Sequence, residues 1–301
     1  MQNMEQSPYD EFALFHENLA EWNLEVPIPR VRRCHVVVDG LRQVSALMWG
    51  DRSPDMALLH GGAQNAHTFD TVALALQRPL VAIDLPSHGH SDAGPHGLAS
   101  VTSHATDVAQ ALAQLLDGPR PLIGMSLGGL TAILVAYEHP ELVSSLILID
   151  ITPGVNESKA RHITDFVNGP ASFDDFDELL QRTITHNPTR SISSLRRGIL
   201  HNAIRRADGS WVWRHQQHPQ SALVAPPTSD LWDVLGALTM PVTLVRGTTA
   251  GSVVDDDDAI ELQRRLPHAT IVAVPNAGHS IQGDAPLELA ALLNHYCPTQ
   301  Q

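Results

Sequence analysis

A G-x-S-x-G motif at residues 124–128 holds the side chain with the clearest potential for chemistry, Ser126. An apolar run precedes the motif and a helical pattern follows it, so the serine lies where a strand turns sharply into a helix. Such a turn exposes the hydroxyl above the sheet, and Gly124 and Gly128 let strand and helix approach closely. The helix N-terminus favours negative charge on a bound oxyanion. The motif therefore predicts a nucleophile, with a glycine-containing turn as the alternative.

The elements that would position this serine follow from alternating apolar and helical patterns. Eight apolar runs predict strands at residues 34–38, 44–49, 56–60, 80–84, 121–125, 146–150, 242–246 and 270–274. Helical patterns cover residues 66–77, 101–116, 127–138, 257–266 and 286–295. Short strands rich in Val, Ile and Leu and separated by helices are typical of a mainly parallel sheet covered on both faces. We expect the first two strands to form an antiparallel entry to an eight-stranded α/β sheet.

Residues 154–235 interrupt this alternation and are richer in Arg, His, Asn and Ser than their surroundings. They predict a mostly helical lid inserted after the sixth strand, between the core segments 1–153 and 236–301. Within the lid, a tight turn at 208–210 leads into an extended segment at 211–213. Trp213 in that segment either packs the lid against the core or walls the substrate pocket.

The composition limits the partners of the chain. Its 301 residues carry 33 acidic and 19 basic side chains, a formal net charge of −14 that disfavours nucleic acids and anionic membranes. The longest uncharged stretch, residues 121–137, is too short to span a membrane. The first 29 residues lack a basic start and an apolar core, so we expect no signal peptide and a cytoplasmic location. A small-molecule substrate is expected, and a homodimer stays open.

Three further segments extend the pattern around Ser126, and with them the chain resembles the α/β-hydrolase superfamily over nearly its whole length. His60-Gly61-Gly62-Ala63 resembles the oxyanion loop after the third strand. Residues 84–91 resemble the D-x-P-G-H-G-x-S turn of this superfamily, with Ser87 in place of the usual glycine. Residues 276–280 resemble the G-H-S/T loop after the last strand.

The resemblance implies a role for each matching position. His279 would be the general base for Ser126, and the backbone N–H groups of Gly62 (or Ala63) and Leu127 would form the oxyanion hole. The residues expected to line the substrate site are Gly61, Ala63, Met125, Arg190 and Trp213.

The acid of the triad is absent from its usual place. After the seventh strand, residues 246–252 read Arg-Gly-Thr-Thr-Ala-Gly-Ser, without a carboxylate. Asp150, at the end of the strand after the nucleophile helix, occupies an alternative position that some members use, and it is the first choice. Asp255 or Asp256 could serve if their loop folds back, although acidic residues also suit a helix start. A site without a working acid is the third alternative.

Serine chemistry at this elbow predicts acyl transfer through a covalent intermediate, without a metal or an organic cofactor. The expected reaction is hydrolysis of a small carboxylic ester, lactone or thioester. The alternatives are carbon–carbon bond hydrolysis, cofactor-free perhydrolysis, or a small-molecule receptor with slow turnover. His88-x-His90-x-Asp92 resembles part of a metal motif, but the turn at 84–91 explains these residues.

Arginines in the lid give one hypothesis about the substrate. Arg190 and the pair Arg196-Arg197 could bind a substrate carboxylate. The alternative is a solvated helix face on which these arginines form ion pairs with the acidic residues of 174–178.

Overall fold

The apolar runs form one eight-stranded sheet in the computed structural model, which describes residues 9–94, 100–187, 190–217 and 230–299. The strands in chain order are β1 (Val31–Val38), β2 (Arg42–Trp49), β3 (Ala57–Leu59), β4 (Leu80–Ile83), β5 (Arg120–Met125), β6 (Val143–Ile149), β7 (Ser172–Phe173), β8 (Ala203–Arg205), β9 (Trp211–Trp213), β10 (Val242–Gly247) and β11 (Thr270–Val274). The large sheet has the order β1-β2-β4-β3-β5-β6-β10-β11. Only β2 runs antiparallel to its neighbours β1 and β4, and the other pairs are parallel. The expected mainly parallel α/β sheet is thus confirmed.

Helices cover both faces of this sheet. In chain order they are α1 (Phe15–Glu21), α2 (Asp70–Leu76), α3 (Val101–Leu115), α4 (Leu127–Glu138), α5 (Glu157–Val167), α6 (Phe176–His186), α7 (Ile192–Asn202), α8 (Leu231–Gly236), α9 (Asp256–Arg265), α10 (Ile281–Asp284) and α11 (Pro286–Tyr296). The short helices α1 and α10 were not expected from the sequence. Phe15 shows why α1 forms, because its ring is buried and lies 4.9 Å from the ring of Trp49.

The side chains of β5 point alternately to the two faces of the sheet, and each face has its own buried core layer. Leu122 packs on one face with apolar residues of α3 and α4, whereas Ile123 and Met125 pack on the other with residues of α2 and α11. Side chains that alternate between two buried faces explain why this strand is a continuous apolar run. The buried layers fix the ends of β5 and β6, where the candidate site lies.

The insertion, residues 154–235, lies between β6 and β10 and holds more than helices. Besides α5 to α8 it contains a three-stranded antiparallel sheet in the order β7-β9-β8. The expected turn precedes β9, with Gly209 at φ +94°. Trp213 is buried in the insertion's own core, with its ring 5.8 Å from that of Phe166 and 6.1 Å from that of Phe173. These contacts favour the packing alternative, and a place for Trp213 in the wall of the substrate pocket stays a prediction.

The turn after β4 holds the residue that departs from the superfamily pattern. Ser87 has φ +66°, a left-handed conformation that glycine adopts without strain. The carboxylate of Asp84 accepts hydrogen bonds from the backbone N–H groups of Ala66 and His90 and from Arg33. This segment is therefore held as a structural turn, as expected for residues 84–91.

No helix in the described part of the chain is both long and apolar enough to cross a membrane. Cys34 and Cys297 are both free thiols.

Candidate active site

Ser126 occupies a strained turn between β5 and α4. Its backbone has φ +52° and ψ −120°, a combination that non-glycine residues adopt only where the surrounding structure enforces it. A Cβ on Gly124 would lie 2.4 Å from the carbonyl oxygen of Gly128, and a Cβ on Gly128 would lie 2.4 Å from that of Leu59. Close packing of backbone thus requires both glycines. The side chain of Ser126 does not cap the helix, which leaves its hydroxyl free for other partners.

The loop after β3 lies directly against this turn. A Cβ on Gly61 would lie 2.4 Å from Met125 Sδ and 3.2 Å from Ser126 Cβ. Gly62 belongs to this loop and Leu127 is the first residue of α4, so the two expected oxyanion donors lie on the segments that border Ser126. The first N–H groups of a helix have no acceptor within the helix and can bind an anion.

Two contacts fix the start of this loop. His60 Nε2 accepts a hydrogen bond from the N–H of Leu85 at 2.9 Å, so its Nδ1 carries the proton and donates to the carbonyl of Gly61 at 2.7 Å. Burial lowers the pKa of His60 to about 3, with a further contribution from His88, and the ring is therefore neutral. Three residues later in the same loop, Ala63 has a left-handed backbone conformation, with φ +60°.

Asp150 and His279 form a hydrogen-bonded pair near the carboxyl ends of β6 and β11. His279 Nδ1 lies 3.0 Å from Asp150 Oδ2, and Asp150 is fully buried. The N–H groups of Gly247 and Val253 donate to this carboxylate at 2.9 and 3.0 Å, and the hydroxyl of Ser252 donates at 2.6 Å. Because a carboxylate only accepts, His279 Nδ1 is the donor, and the neutral ring then carries its lone pair on Nε2. That tautomer is the one a general base requires.

The loop that lacks the usual carboxylate therefore contributes donors instead. Residues 247–253 surround the carboxylate of Asp150 with two backbone N–H groups and one hydroxyl, which compensate for its burial. Sequence reasoning did not identify Ser252 in this role. The available signal was the absence of a carboxylate from this loop, because small and polar residues that can donate hydrogen bonds occupy its place.

The alternative acids lie in other interactions. Asp255 caps α9 through the N–H of Asp258 and pairs with Lys159 at 2.8 Å. Asp256 is exposed and pairs with Arg246 at 2.5 Å. Of the three carboxylates considered, the structure brings only Asp150 to His279.

Asp284 is a second residue that sequence reasoning missed. Its Oδ2 accepts a hydrogen bond from the N–H of Gly278 at 2.9 Å, which fastens the loop carrying His279 to the end of α10. On the other side of this loop, a Cβ on Gly247 would lie 2.5 Å from the carbonyl oxygens of Ala277 and Gly278. Tight packing and one hydrogen bond together position the imidazole.

Contrary to expectation, Arg190 lines a cavity to which Ser126 does not contribute. A Cβ on Gly283 would lie 2.6 Å from Arg190 Cζ, and the guanidinium donates to Ser194 Oγ at 2.7 Å. The cavity that it lines measures about 280 Å³ and lies between α1, the start of α7 and the segment 276–284; Ser126 is not among its lining residues. Burial lowers the pKa of Arg190, opposed by the charges of nearby Asp284 and Glu21.

The arginine pair on α7 also differs from expectation. Arg196 forms an ion pair with Glu17, and Arg197 forms one with Glu21, so both pair with α1. The predicted partners in 174–178 are replaced by the N-terminal helix, which thereby joins the insertion to the core.

Comparison with known proteins bears on this arrangement. The model of the alpha/beta hydrolase family matches residues 56–292. An esterase of Mycobacterium tuberculosis, Rv0045c, is 40% identical over 298 residues, covering 97% of both chains. A solved structure of that esterase, described for its inhibition by transition metals, superposes with a TM-score of 0.84 at 38% identity and covers 96% of this chain and 99% of that one. The sn-1-specific diacylglycerol lipase ABHD11 of Danio rerio is 28% identical and covers 79% of this chain and 76% of its own.

Proposed function

This chain belongs to the alpha/beta hydrolase family, and we propose that it is a serine esterase in which Ser126, His279 and Asp150 form the catalytic triad. The match to an esterase over 97% of both chains supports an ester hydrolase. The observation that carries the finer assignment is the 3.0 Å contact between His279 Nδ1 and a buried, fully hydrogen-bonded Asp150.

The proposed reaction begins with attack of the Ser126 hydroxyl on the ester carbonyl. His279 Nε2 takes the hydroxyl proton and then delivers it to the leaving alcohol. Asp150 holds the imidazole in the required tautomer and stabilises the imidazolium that forms. The N–H groups of Gly62 and Leu127 stabilise the oxyanion, and water hydrolyses the acyl-enzyme by the reverse sequence.

The relatives and the fold support a proposal for the substrate class. We propose a small or medium carboxylic ester, with the insertion, residues 154–235, forming the lid that shapes the acyl pocket. The carboxylate specificity considered for Arg190 is not part of this proposal, because the cavity that this side chain lines does not include Ser126. As the related esterase is described for inhibition by transition metals, we expect such ions to lower the turnover of this chain as well.

The test is hydrolysis of p-nitrophenyl acetate, butyrate and octanoate, combined with labelling by a fluorophosphonate. Wild type should show a pre-steady-state burst of one product per enzyme and should gain the mass of one label. Ser126→Ala should lose both, while Ser158→Ala, which changes an exposed serine of α5, should keep both. Labelling of Ser126→Ala, or ester turnover within tenfold of wild type, would rule out the serine assignment.

A further inference from the structure

A second cluster of chemically competent side chains lies at the boundary between core and insertion. His67 and Asp70 are three residues apart where the chain enters α2, and His201 comes from α7 of the insertion. All three are buried, with exposed fractions of 6%, 3% and 3%. One ligand atom from each lies within 4.8 Å of the other two. This juxtaposition of two imidazoles and a carboxylate has no part in the proposed reaction.

In each imidazole, the nitrogen that faces away from the cluster has a hydrogen-bond partner that orients the ring. His67 Nε2 contacts Glu11 Oε2 at 3.0 Å, while its Nδ1 faces Asp70 Oδ2 at 2.9 Å. His201 Nδ1 contacts the hydroxyl of Tyr9 at 2.7 Å. A hydrogen bond on the nitrogen that faces away from the ion is the usual support of a metal-binding histidine.

The nitrogen of His201 that faces the cluster has no hydrogen-bond partner. His201 Nε2 is buried and lies 3.7 Å from Asp70 Oδ2, beyond hydrogen-bond distance. A buried polar atom without a partner is costly, and here it points at a carboxylate. A cation bound between the two groups would satisfy both of them.

We propose that His67 Nδ1, the carboxylate of Asp70 and His201 Nε2 bind one divalent transition-metal ion of the zinc or copper class. Two imidazoles and one carboxylate form a donor set that these ions prefer over magnesium or calcium. Both nitrogens of His67 contact carboxylates, so the ring carries two protons. The ion replaces the proton on Nδ1, and this proton is released to solvent. The imidazoles now stack 3.9 Å apart at an angle of 10°, so binding rotates them toward a common point.

Such an ion would link three parts of the chain. Asp70 and His67 belong to the core, His201 belongs to the insertion, and the supporting Tyr9 and Glu11 belong to the segment before α1. The core already reaches His201 through Asn65, whose side-chain amide donates to the His201 carbonyl at 2.8 Å. Tyr9 is 41% exposed, so displacement of its ring opens a route to the buried nitrogens.

The first measurement is binding by the purified full chain. Titration with Co²⁺, followed by visible absorption, and with Zn²⁺, followed by calorimetry, should give one equivalent bound at the cluster. His201→Gln should weaken that binding by at least about 100-fold, since it removes one of three ligands. Tyr9→Phe, which removes only an outer partner, should weaken it by about 10- to 100-fold. His139→Gln, a change at an exposed histidine outside the cluster, should leave the binding unchanged.

Two results would overturn the site. The first is wild-type affinity in His201→Gln, which would place any bound ion elsewhere, for example at His279. The second is absence of a stoichiometric Co²⁺ spectrum in wild type. Melting temperatures of the metal-free variants show whether they are folded, and Tyr9→Phe keeps the test valid if His201→Gln does not fold. Binding is measured without substrate, so its outcome is independent of esterase activity.

Discussion

Replacing Asp150 by Asn tests the proposed acid, because it changes only one carboxylate oxygen into an NH₂ group. The carboxylate accepts from Gly247, Ser252, Val253 and His279, two donors at each oxygen. An amide keeps only one accepting oxygen. Whichever way the Asn is turned, its NH₂ group must face one backbone N–H, that of Gly247 or that of Val253.

The magnitude has two parts. An unsatisfied buried N–H group costs about 1–3 kcal/mol, so the variant should stay folded but melt several degrees lower. The imidazolium formed during the reaction loses its counter-charge, and by analogy with other serine triads kcat should fall by about 10³- to 10⁴-fold. The loss of activity should therefore far exceed the loss of folded protein.

Assays of p-nitrophenyl butyrate hydrolysis and thermal melts on the same samples separate the two effects. Asp256→Asn is the matched control, because it makes the same change at an exposed carboxylate paired with Arg246; we expect kcat within about twofold of wild type. Folded Asp150→Asn with more than a tenth of the wild-type kcat would refute the assignment. Loss of activity in Asp256→Asn but not in Asp150→Asn would move the acid to the start of α9.

Three further outcomes are expected. Gly61→Ala should lower kcat by about 100-fold with little change in melting temperature, because its Cβ would lie 2.4 Å from Met125 Sδ and displace the oxyanion loop. Gly124→Ala should destabilise the fold by about 3 kcal/mol or more in urea titrations, since its Cβ would meet backbone of α4 at 2.4 Å. Burial, with smaller contributions from neighbouring charges, lowers the pKa values of His60, His104 and His215 to about 3, so these rings stay neutral when folded but take up protons near pH 6.5 when unfolded. These three rings together should lower the stability by up to about 4 kcal/mol from pH 7.5 to 5.5, and His104→Leu should remove about a third of that contribution in urea titrations at the two pH values.

The sequence could predict the large sheet because its strands are buried on both faces and read as unbroken apolar runs. It could not predict β7, which is two residues long and exists only through pairing with β9. Nor could it predict α1, whose seven residues depend on burial of Phe15 and on ion pairs with α7. Such short elements are determined by tertiary contacts, which a local pattern does not record.

The candidate site likewise contains residues that a local sequence pattern predicts and residues that it does not. Ser126 was predictable because close backbone packing demands glycines at fixed spacing around it. Asp150 could only be ranked among alternatives, since an acid is recognised by its distance from the imidazole and not by its place in the chain. The cluster of His67, Asp70 and His201 had no local signal at all, because 131 positions separate Asp70 from His201.

The position of Asp150 has a consequence for how this fold accommodates different substrates. It is the residue directly after β6, four positions before the insertion begins, yet all its described hydrogen-bond partners come from the segment after the insertion. In these described contacts, the proposed acid is therefore held by the core. Because no residue of 154–235 holds it among those described contacts, the insertion can change sequence or conformation around a substrate without releasing the imidazole. An acid placed directly after β6 thus keeps the proposed catalytic geometry separate from the part of the chain that we propose selects the ester.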